Sequence, residues 1–187
     1  HLMKYASGHN YVRDDFLLKP LENALNHPAS LKFIVLHTLG SHWQHTLRYP
    51  QSFARFTPVC SRKEIHLCAK NELLNGYHNT ILFTDWLINQ VIQKVENQNA
   101  IVIYVSDHGF SLGEQGLYCN AYVGPHTPKE QLHIPLIIWA STQYGKILDS
   151  LRIKQDKPVK QSAIFHTILS MMRVRSELID NQRSLVN

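Results

Sequence analysis

Short unbroken runs of apolar residues along the chain predict three buried strands. They are Lys32–Leu36, Ile101–Val105 and Ile134–Trp139. A run without alternating polar positions is typical of a strand covered on both faces, as in a parallel sheet. Pro135 cannot donate a ladder hydrogen bond, so it restricts the third run to the start of a strand.

Between these runs, apolar residues recur at helical spacing. The pattern predicts helices over Lys19–Asn26, over a long stretch from Leu74 to Val95, and over Ile164–Met172. Residues 43 to 70 are predicted to be a long polar excursion and residues 141 to 160 a polar linker. Strands that alternate with helices indicate an α/β fold with a largely parallel sheet flanked by helices.

Composition narrows the class of protein. With 187 residues, 44% hydrophobic and 18% charged, the chain is predicted to be one globular domain over 1–187, or a piece of one. The net charge of +5 is scattered, and without a block of Lys and Arg we expect no nucleic-acid partner. No run approaches the roughly 18 apolar residues of a membrane span, and the N-terminus lacks a signal-peptide pattern. Because Met is the third residue, we treat the ends as arbitrary.

Two of the three cysteines lie close together in the polar excursion. The spacing of Cys60 and Cys68 is too wide for a zinc knuckle, and no second pair completes four ligands. A local disulfide would stabilise the fold by roughly 2–3 kcal/mol and indicate an oxidising compartment. The alternative is two reduced surface thiols. Cys119 is expected to be unpaired.

Candidate chemistry lies in two loops that directly follow predicted strands, the place where function collects in parallel sheets. One loop runs from His37 to His42, and the other is Asp107-His108-Gly109. Asp and His suit zinc in a mixed nitrogen and oxygen site. The residues alone leave alternatives open, because an Asp that caps the loop and histidines bonded to backbone or solvent fit the same pattern.

A longer string carries more information. Ser106-Asp107-His108-Gly109-x-Ser111-Leu112-Gly113-Glu114-x-Gly116-x-Tyr118 resembles the signature of the phosphoethanolamine transferases that modify lipid A and other envelope glycans. They are a branch of the alkaline-phosphatase and sulfatase superfamily. The resemblance spans roughly residues 10 to 172 in the family's order. It includes Gly40-Ser41-His42, Arg48-Tyr49-Pro50, Phe56 to Cys60 with Cys68, Tyr77-x-Asn79, and Pro128 to Gln131 before Ile134-Pro135.

The resemblance implies roles for particular residues. Asp107 and His108 match the family's zinc ligands, and His42 matches a histidine beside the transferred phosphate or a second metal. Cys60 and Cys68 match a family disulfide. Family members are bacterial inner-membrane proteins whose catalytic domain faces the periplasm. The chain is therefore expected to be the C-terminal part of that sulfatase-like domain, incomplete at its N-terminal side, with the upstream half and the transmembrane helices absent.

The chain also departs from the family's pattern. Phe110 replaces a glutamate, His78 replaces an aspartate, and Asn120 stands in the substrate-binding position of a histidine. His126 either partly replaces that histidine or is a plain surface residue. The family's threonine nucleophile and glutamate zinc ligand belong to an earlier stretch, so no catalytic nucleophile is identifiable here.

The function implied by the resemblance is zinc-dependent transfer of phosphoethanolamine. The donor would be the phospholipid phosphatidylethanolamine, and the acceptor lipid A or lipopolysaccharide core. The alternatives are a sulfatase or phosphodiesterase-type hydrolase, and a degenerate non-catalytic domain of the same fold. The chain alone is expected to be inactive, because covalent transfer needs the missing nucleophile.

Overall fold

The computed structural model describes residues 13–120 and 124–186. The helices are α1 (Leu18–Leu25), α2 (Lys70–Val95), α3 (Lys129–Leu132), α4 (Gly145–Arg152) and α5 (Ala163–Met171). The strands are β1 (Ile101–Val105), β2 (Ser111–Leu112), β3 (Tyr118–Cys119) and β4 (Leu136–Ala140). The α/β class is confirmed. Within the described ranges, no helix combines the length and the apolar character needed to cross a bilayer.

The three predicted helices are confirmed as α1, α2 and α5, with small differences at their ends. The largest difference is at the start of α2, which begins at Lys70 rather than Leu74. The Glu72 carboxylate accepts the backbone N–H of Ala69 at 3.3 Å. This one-way cap, in which the Glu72 side chain bonds back to the residue before the helix, lets α2 begin on polar residues that carry no apolar periodicity.

The prediction of a polar linker over 141–160 is wrong, because α4 lies within it. Ile147, Leu148 and Leu151 fall on one side of α4 and are half-buried, while Lys146 and Asp149 are exposed. Three apolar residues are enough for a two-turn amphipathic helix, although they are too few to stand out among the polar residues around them.

Two of the predicted strands are confirmed. β1 has the predicted bounds, and β4 begins at Leu136, directly after Pro135, as the missing proline N–H requires. β1 and β4 are hydrogen-bonded neighbours. Beside them, the Ser141 N–H donates to the Ala100 carbonyl at 2.9 Å.

The predicted strand over Lys32–Leu36 is wrong. The segment contains no assigned strand, and its side chains alternate, with Phe33 and Val35 exposed and Ile34 and Leu36 half-buried. A strand needs a neighbour for its ladder, and no described residue pairs with this segment. The apolar run therefore has the composition of a doubly covered strand, but one set of its side chains faces solvent.

The chain divides into two compact units. The first combines the described part of His1–Lys94 with Tyr104–Leu136, and the second combines Val95–Ile103 with the described part of Ile137–Asn187. All the predicted site residues belong to the first unit. That residues 1–187 form one domain stays a prediction.

The core of the first unit is built around the disulfide. Cys60 and Cys68 are bonded with their Cα atoms 5.7 Å apart, which confirms the predicted pairing, and Cys119 is free. Buried Cys60 packs with Leu73 of α2 and Leu112 of β2. The side chains packed against this cluster are Trp43, Ile65, Cys68, Leu74, Tyr77, Phe110 and Tyr118.

Asn79 fastens the polar excursion to α2. Its side chain is fully buried, and its Oδ1 accepts the backbone N–H groups of Arg55 and Phe56, both at 2.9 Å. Its Nδ2 donates to the Phe56 carbonyl at 2.9 Å and to the Tyr49 hydroxyl at 3.2 Å. One buried amide thus makes four hydrogen bonds, which explains why an asparagine occupies this turn of the helix.

We predict that Asn79→Ala lowers the free energy of unfolding by roughly 2–4 kcal/mol, because it removes four hydrogen bonds of a buried amide. The Arg55 N–H keeps the Phe53 carbonyl at 2.8 Å, whereas the Phe56 N–H loses the Asn79 acceptor. Asn75→Ala is the matched control, since Asn75 donates one hydrogen bond to the Pro58 carbonyl at 2.8 Å and lies nearer the surface. It should lose about 1 kcal/mol. Urea unfolding followed by circular dichroism measures both. Equal losses in the two variants would contradict the role given to Asn79.

Candidate metal and phosphate site

The chain leaves β1 at Val105 and turns at once through the first candidate loop. Ser106 Oγ donates to the His108 carbonyl at 2.6 Å, and Asp107 Oδ1 accepts the His108 N–H at 3.0 Å. The bond from the His108 N–H to Asp107 matches the alternative considered from the sequence, in which the aspartate caps the loop. Asp107 Oδ2 is not used in that bond and lies on the side of the His108 ring.

Gly109 brings the loop against the segment of α3. The Gly109 N–H donates to the Gln131 carbonyl at 2.8 Å, and the Phe110 N–H donates to the Glu130 carbonyl at 3.1 Å. A Cβ atom on Gly109 would lie 1.9 Å from the Glu130 oxygen, so only glycine fits. Gln131 extends the contact, because its Nε2 donates to the buried Ser111 Oγ at 2.8 Å.

A short hairpin returns the chain to His108. β2 and β3 pair antiparallel, with Ser111 opposite Cys119 and Leu112 opposite Tyr118. The turn between them uses a left-handed Gly113 with φ of 106°, a conformation that glycine adopts without steric cost. Asn120 follows β3 directly, and its Nδ2 lies 2.8 Å from His108 Nε2.

The His108 ring has a defined tautomer. Its Nδ1 lies 2.8 Å from the Gly109 carbonyl, which can only accept, so we assign the ring proton to Nδ1. Nε2 then carries a lone pair and accepts the Asn120 amide. A backbone carbonyl on the far ring nitrogen is the usual way in which proteins orient a metal-binding histidine.

The pair Asp107 and His108 fits zinc. His108 Nε2 and Asp107 Oδ2 are 3.6 Å apart. Two ligand atoms bound about 2.0–2.1 Å from a tetrahedral zinc ion lie about 3.4 Å apart, so a small movement places both on one ion. Within residues 13–120 and 124–186, no group of three or more His, Cys, Asp or Glu side chains comes together. The described chain would therefore supply two of the roughly four ligands that a zinc site needs.

The second candidate loop is held separately. His42 Nδ1 lies 2.6 Å from the Trp43 carbonyl, which places the proton on Nδ1 and leaves Nε2 available. Arg48 Nε donates to the His42 carbonyl at 3.1 Å, and its Nη2 donates to the Trp43 carbonyl at 3.3 Å. His42 joins no metal-binding group with Asp107 and His108 among the described residues. The predicted phosphate contact stays a prediction.

Three further histidines take no part in these contacts. His37 and His126 are exposed, and His78 is exposed with its ring 5.3 Å from that of Phe56. The replacement of an aspartate by His78 therefore changes the surface of α2 and leaves the two candidate loops untouched.

The residue that sequence reasoning missed is His45. It is 2% exposed and makes edge contacts with the rings of Trp43, Tyr77 and Phe110, at centroid distances of 5.1, 5.6 and 5.1 Å. Neither ring nitrogen has a hydrogen-bond partner among the described residues. In the sequence, the only sign of this cluster is that Trp43, Tyr77 and Phe110 stand at or next to matched motif positions. The ring of Phe110, where the family has an acid, thus lies in an aromatic cluster around a neutral imidazole.

Burial also governs the other titrating groups nearby. It raises the pKa of the Tyr77 and Tyr104 hydroxyls, and for Tyr104 the nearby Tyr77, Asp14 and Asp107 add to the effect. Burial likewise raises the pKa of the Cys119 thiol. The phenols and the thiol therefore stay protonated at neutral pH.

Comparison with known proteins identifies the class of protein that this fold and site define. The model of the family described as Sulfatase matches residues 2–174, so the chain belongs to the sulfatase family. The resemblance to phosphoethanolamine transferases, which the Asp107-His108-Gly109 string indicated, is confirmed by the individual relatives, and with it the sulfatase-like fold.

The chain is 37% identical over 162 residues to the phosphoethanolamine transferase EptA of Helicobacter pylori, covering 84% of this chain and 31% of the relative. It is 34% identical over 188 residues to the phosphatidylethanolamine transferase Mcr-1 of Escherichia coli, covering 97% and 34%. The solved C-terminal periplasmic domain of EptC from Campylobacter jejuni superimposes with a TM-score of 0.88 at 34% identity, covering 94% of this chain and 58% of that domain. The chain thus spans about a third of the curated relatives it matches.

We predict that His45 makes stability depend on pH. Burial lowers its pKa from 6.5 to about 4; the Ser41 backbone opposes this shift, and the nearby Arg48 and His42 add to it. Between these values the unfolded chain binds a proton that the folded chain does not, so stability is complete above about pH 6.5 and falls toward pH 4. The loss attributable to this group is up to roughly 3 kcal/mol.

Urea unfolding of the wild type and of His45→Phe at pH 7.0, 5.5 and 4.5 checks this. As the pH falls, the free energy of unfolding should decrease less in His45→Phe than in the wild type. The exposed His133 provides the control His133→Phe, which should follow the wild type. A constant difference between wild type and His45→Phe across the pH range would be inconsistent with a buried neutral His45.

Proposed function

We propose that the chain is the C-terminal part of the catalytic domain of a zinc-dependent phosphoethanolamine transferase. The donor would be phosphatidylethanolamine and the acceptor lipid A or another lipopolysaccharide-type glycan. The observation that carries the proposal is the geometry of Asp107 and His108, two zinc-compatible ligands 3.6 Å apart in the loop after β1. The names of the relatives support the reaction class, since EptA and Mcr-1 are transferases of this kind.

Zinc bound by Asp107 and His108 would supply Lewis acidity toward a phosphoryl oxygen and favour the deprotonated form of a nearby hydroxyl. The chain's own residues orient this site. The Gly109 carbonyl holds the proton on His108 Nδ1 and so keeps Nε2 as the ligand atom. The Asn120 amide and His42 Nε2 are the groups that we assign to the phosphoryl oxygens, where hydrogen bonds stabilise the developing charge.

The nucleophile is assigned to polypeptide outside this chain, together with the glutamate ligand of the zinc. We also place the whole protein in the bacterial inner membrane through N-terminal helices outside this chain, with the catalytic domain facing the periplasm. The bonded pair Cys60 and Cys68 supports that side of the membrane, because disulfides persist in oxidising compartments.

Two observations favour a second candidate, a non-catalytic domain of the same fold. Phe110 lies in the aromatic cluster around His45, and Asn120 occupies the lone pair of His108 Nε2. Both positions differ from the family's acid and histidine. A sulfatase or phosphodiesterase-type hydrolase shares the metal pair, and product analysis separates it from a transferase.

We predict that zinc binds this chain no more tightly than about 1 μM, because two ligands give far less affinity than four. Asp107→Ala should abolish the binding. Asn120→His should strengthen it at least about tenfold, since it adds a third nitrogen ligand next to His108 Nε2. Isothermal titration calorimetry measures all three.

The control is Gln143→His, which adds a histidine to an exposed position in the 3₁₀ turn Thr142–Tyr144, where no His, Cys, Asp or Glu lies within four positions along the chain. It should bind zinc as the wild type does. Unchanged affinity in Asp107→Ala would place the metal elsewhere, and unchanged affinity in Asn120→His would argue against a zinc site between these loops.

We further predict that the full-length protein transfers phosphoethanolamine from phosphatidylethanolamine to a lipid A acceptor in a membrane mimic. This chain alone should be slower by a factor of roughly a thousand or more, because it lacks the nucleophile. Mass spectrometry of acceptor and donor gives the readout. His108→Ala should abolish transfer in the full-length protein.

Release of free phosphoethanolamine without acceptor labelling would favour the hydrolase. No turnover by the full-length protein would favour the non-catalytic domain. Turnover by the chain alone at a rate comparable to the full-length protein would show that the nucleophile lies within these residues.

A further inference from the structure

We propose that Asp14 is a positioning residue for the candidate site. Its carboxylate clamps the loop of residues 39–42 and thereby sets the position of the His42 ring. The proposal rests on the phosphate role of His42 in the proposed function. Asp14 lies 25 residues before the loop, and nothing in the matched motifs indicates it.

The contact is a two-point clamp. Asp14 Oδ1 accepts the backbone N–H of Leu39 at 2.8 Å, and Oδ2 accepts the backbone N–H of Gly40 at 2.8 Å. Asp14 is only 8% exposed. A carboxylate that accepts two adjacent amides fixes the direction of the peptide between them, and hydrogen bonds to a charged acceptor are stronger than neutral ones.

The clamp is itself anchored in regular structure. Asp14 begins the 3₁₀ turn Asp14–Leu17, which continues directly into α1. Glu22 of α1 then forms an ion pair with Lys94 of α2, with Glu22 Oε1 and Lys94 Nζ 2.7 Å apart. The helices therefore set the position of the Asp14 carboxylate, and the carboxylate sets the position of the loop.

A second contact holds the loop from α2. Ser41 Oγ and Thr80 Oγ1 are 2.6 Å apart, and Thr80 is almost fully buried. Gly40 is left-handed with φ of 52°, and the His42 N–H closes the turn on the Leu39 carbonyl at 3.1 Å. The turn is thus set from two sides, and His42 follows the clamped residues immediately.

The need for such a clamp follows from what precedes the loop. Residues 32–38 form no ladder with any described residue, so sheet pairing does not place the loop there.

The variant Asp14→Asn tests the proposal, because an amide offers one acceptor and turns an NH₂ toward a backbone N–H. The matched control is Asp15→Asn, which removes a neighbouring carboxylate paired with Arg13 at 3.6 Å on the surface. Two readouts on the 187-residue chain are used. They are NMR hydrogen exchange at the Leu39 and Gly40 amides, and titration of the His42 ring signals with inorganic phosphate, with and without zinc.

In Asp14→Asn we expect both amides to exchange at least about tenfold faster, and phosphate to bind about tenfold more weakly at His42, while circular dichroism still reports a folded chain. Asp15→Asn should match the wild type, and His42→Ala should lose the phosphate response. Faster exchange with unchanged phosphate affinity would overturn the positioning role and leave Asp14 a structural residue. Unchanged exchange would overturn the clamp.

If Asp14→Asn does not fold, Asp14→Glu takes its place, since it keeps both acceptors but displaces them by one methylene. Phosphate affinity equal to that of the wild type in Asp14→Glu would overturn the proposal. If phosphate leaves the wild-type His42 signals unchanged, the phosphate role in the proposed function fails on its own. The clamp is then judged by nuclear Overhauser contacts between the His42 ring and Arg48, which should change in Asp14→Asn and would overturn the proposal if they did not.

Discussion

The close approach of Gly109 to the segment of α3 is the constraint on which the candidate metal loop depends. The backbone of Gly109 and Phe110 pairs with Glu130 and Gln131, at a separation that leaves no room for a Cβ atom. This contact fixes the Gly109 carbonyl, and the Gly109 carbonyl fixes the proton on His108 Nδ1. Nε2 thereby keeps its lone pair beside Asp107. The glycine and residues 130–131, which both fall in the matched pattern, thus form one contact.

The same backbone pairing decides what happens to the residue after the glycine. Phe110 packs in the core against His45 and Tyr77. An acid at this position would lie beside the buried His45 imidazole and the Tyr77 ring, where burial of a charge is costly. The exchange of glutamate for phenylalanine and the presence of a buried neutral histidine are therefore physically consistent with each other. Together they make this side of the loop apolar.

Sequence patterns predicted those parts of the fold whose burial is local. β1 is an unbroken apolar run, α2 and α5 carry apolar residues at helical spacing, and β4 begins where Pro135 allows it. Sequence patterns failed where the structure of a segment depends on another segment that packs or pairs with it. Lys32–Leu36 has the composition of a covered strand, but strand formation needs a neighbour that the run itself cannot specify. Of the site, Asp107 and His108 were predicted from their motif, whereas His45 and Asp14 were not, because their roles arise from contacts with residues 25 or more positions away.

Asn120 shows how a departure from a family pattern can modify a site without removing it. Its amide nitrogen occupies the lone pair of His108 Nε2, which is the position where a metal would bind. A side-chain amide has a donor end and an acceptor end, so rotation about its last bond presents its oxygen to a cation or its NH₂ to a phosphoryl oxygen. A histidine in the same place would bind zinc more strongly through nitrogen but would lose this choice. An amide at this position would therefore hold a metal less strongly than a histidine would, while it keeps a group that can contact phosphate.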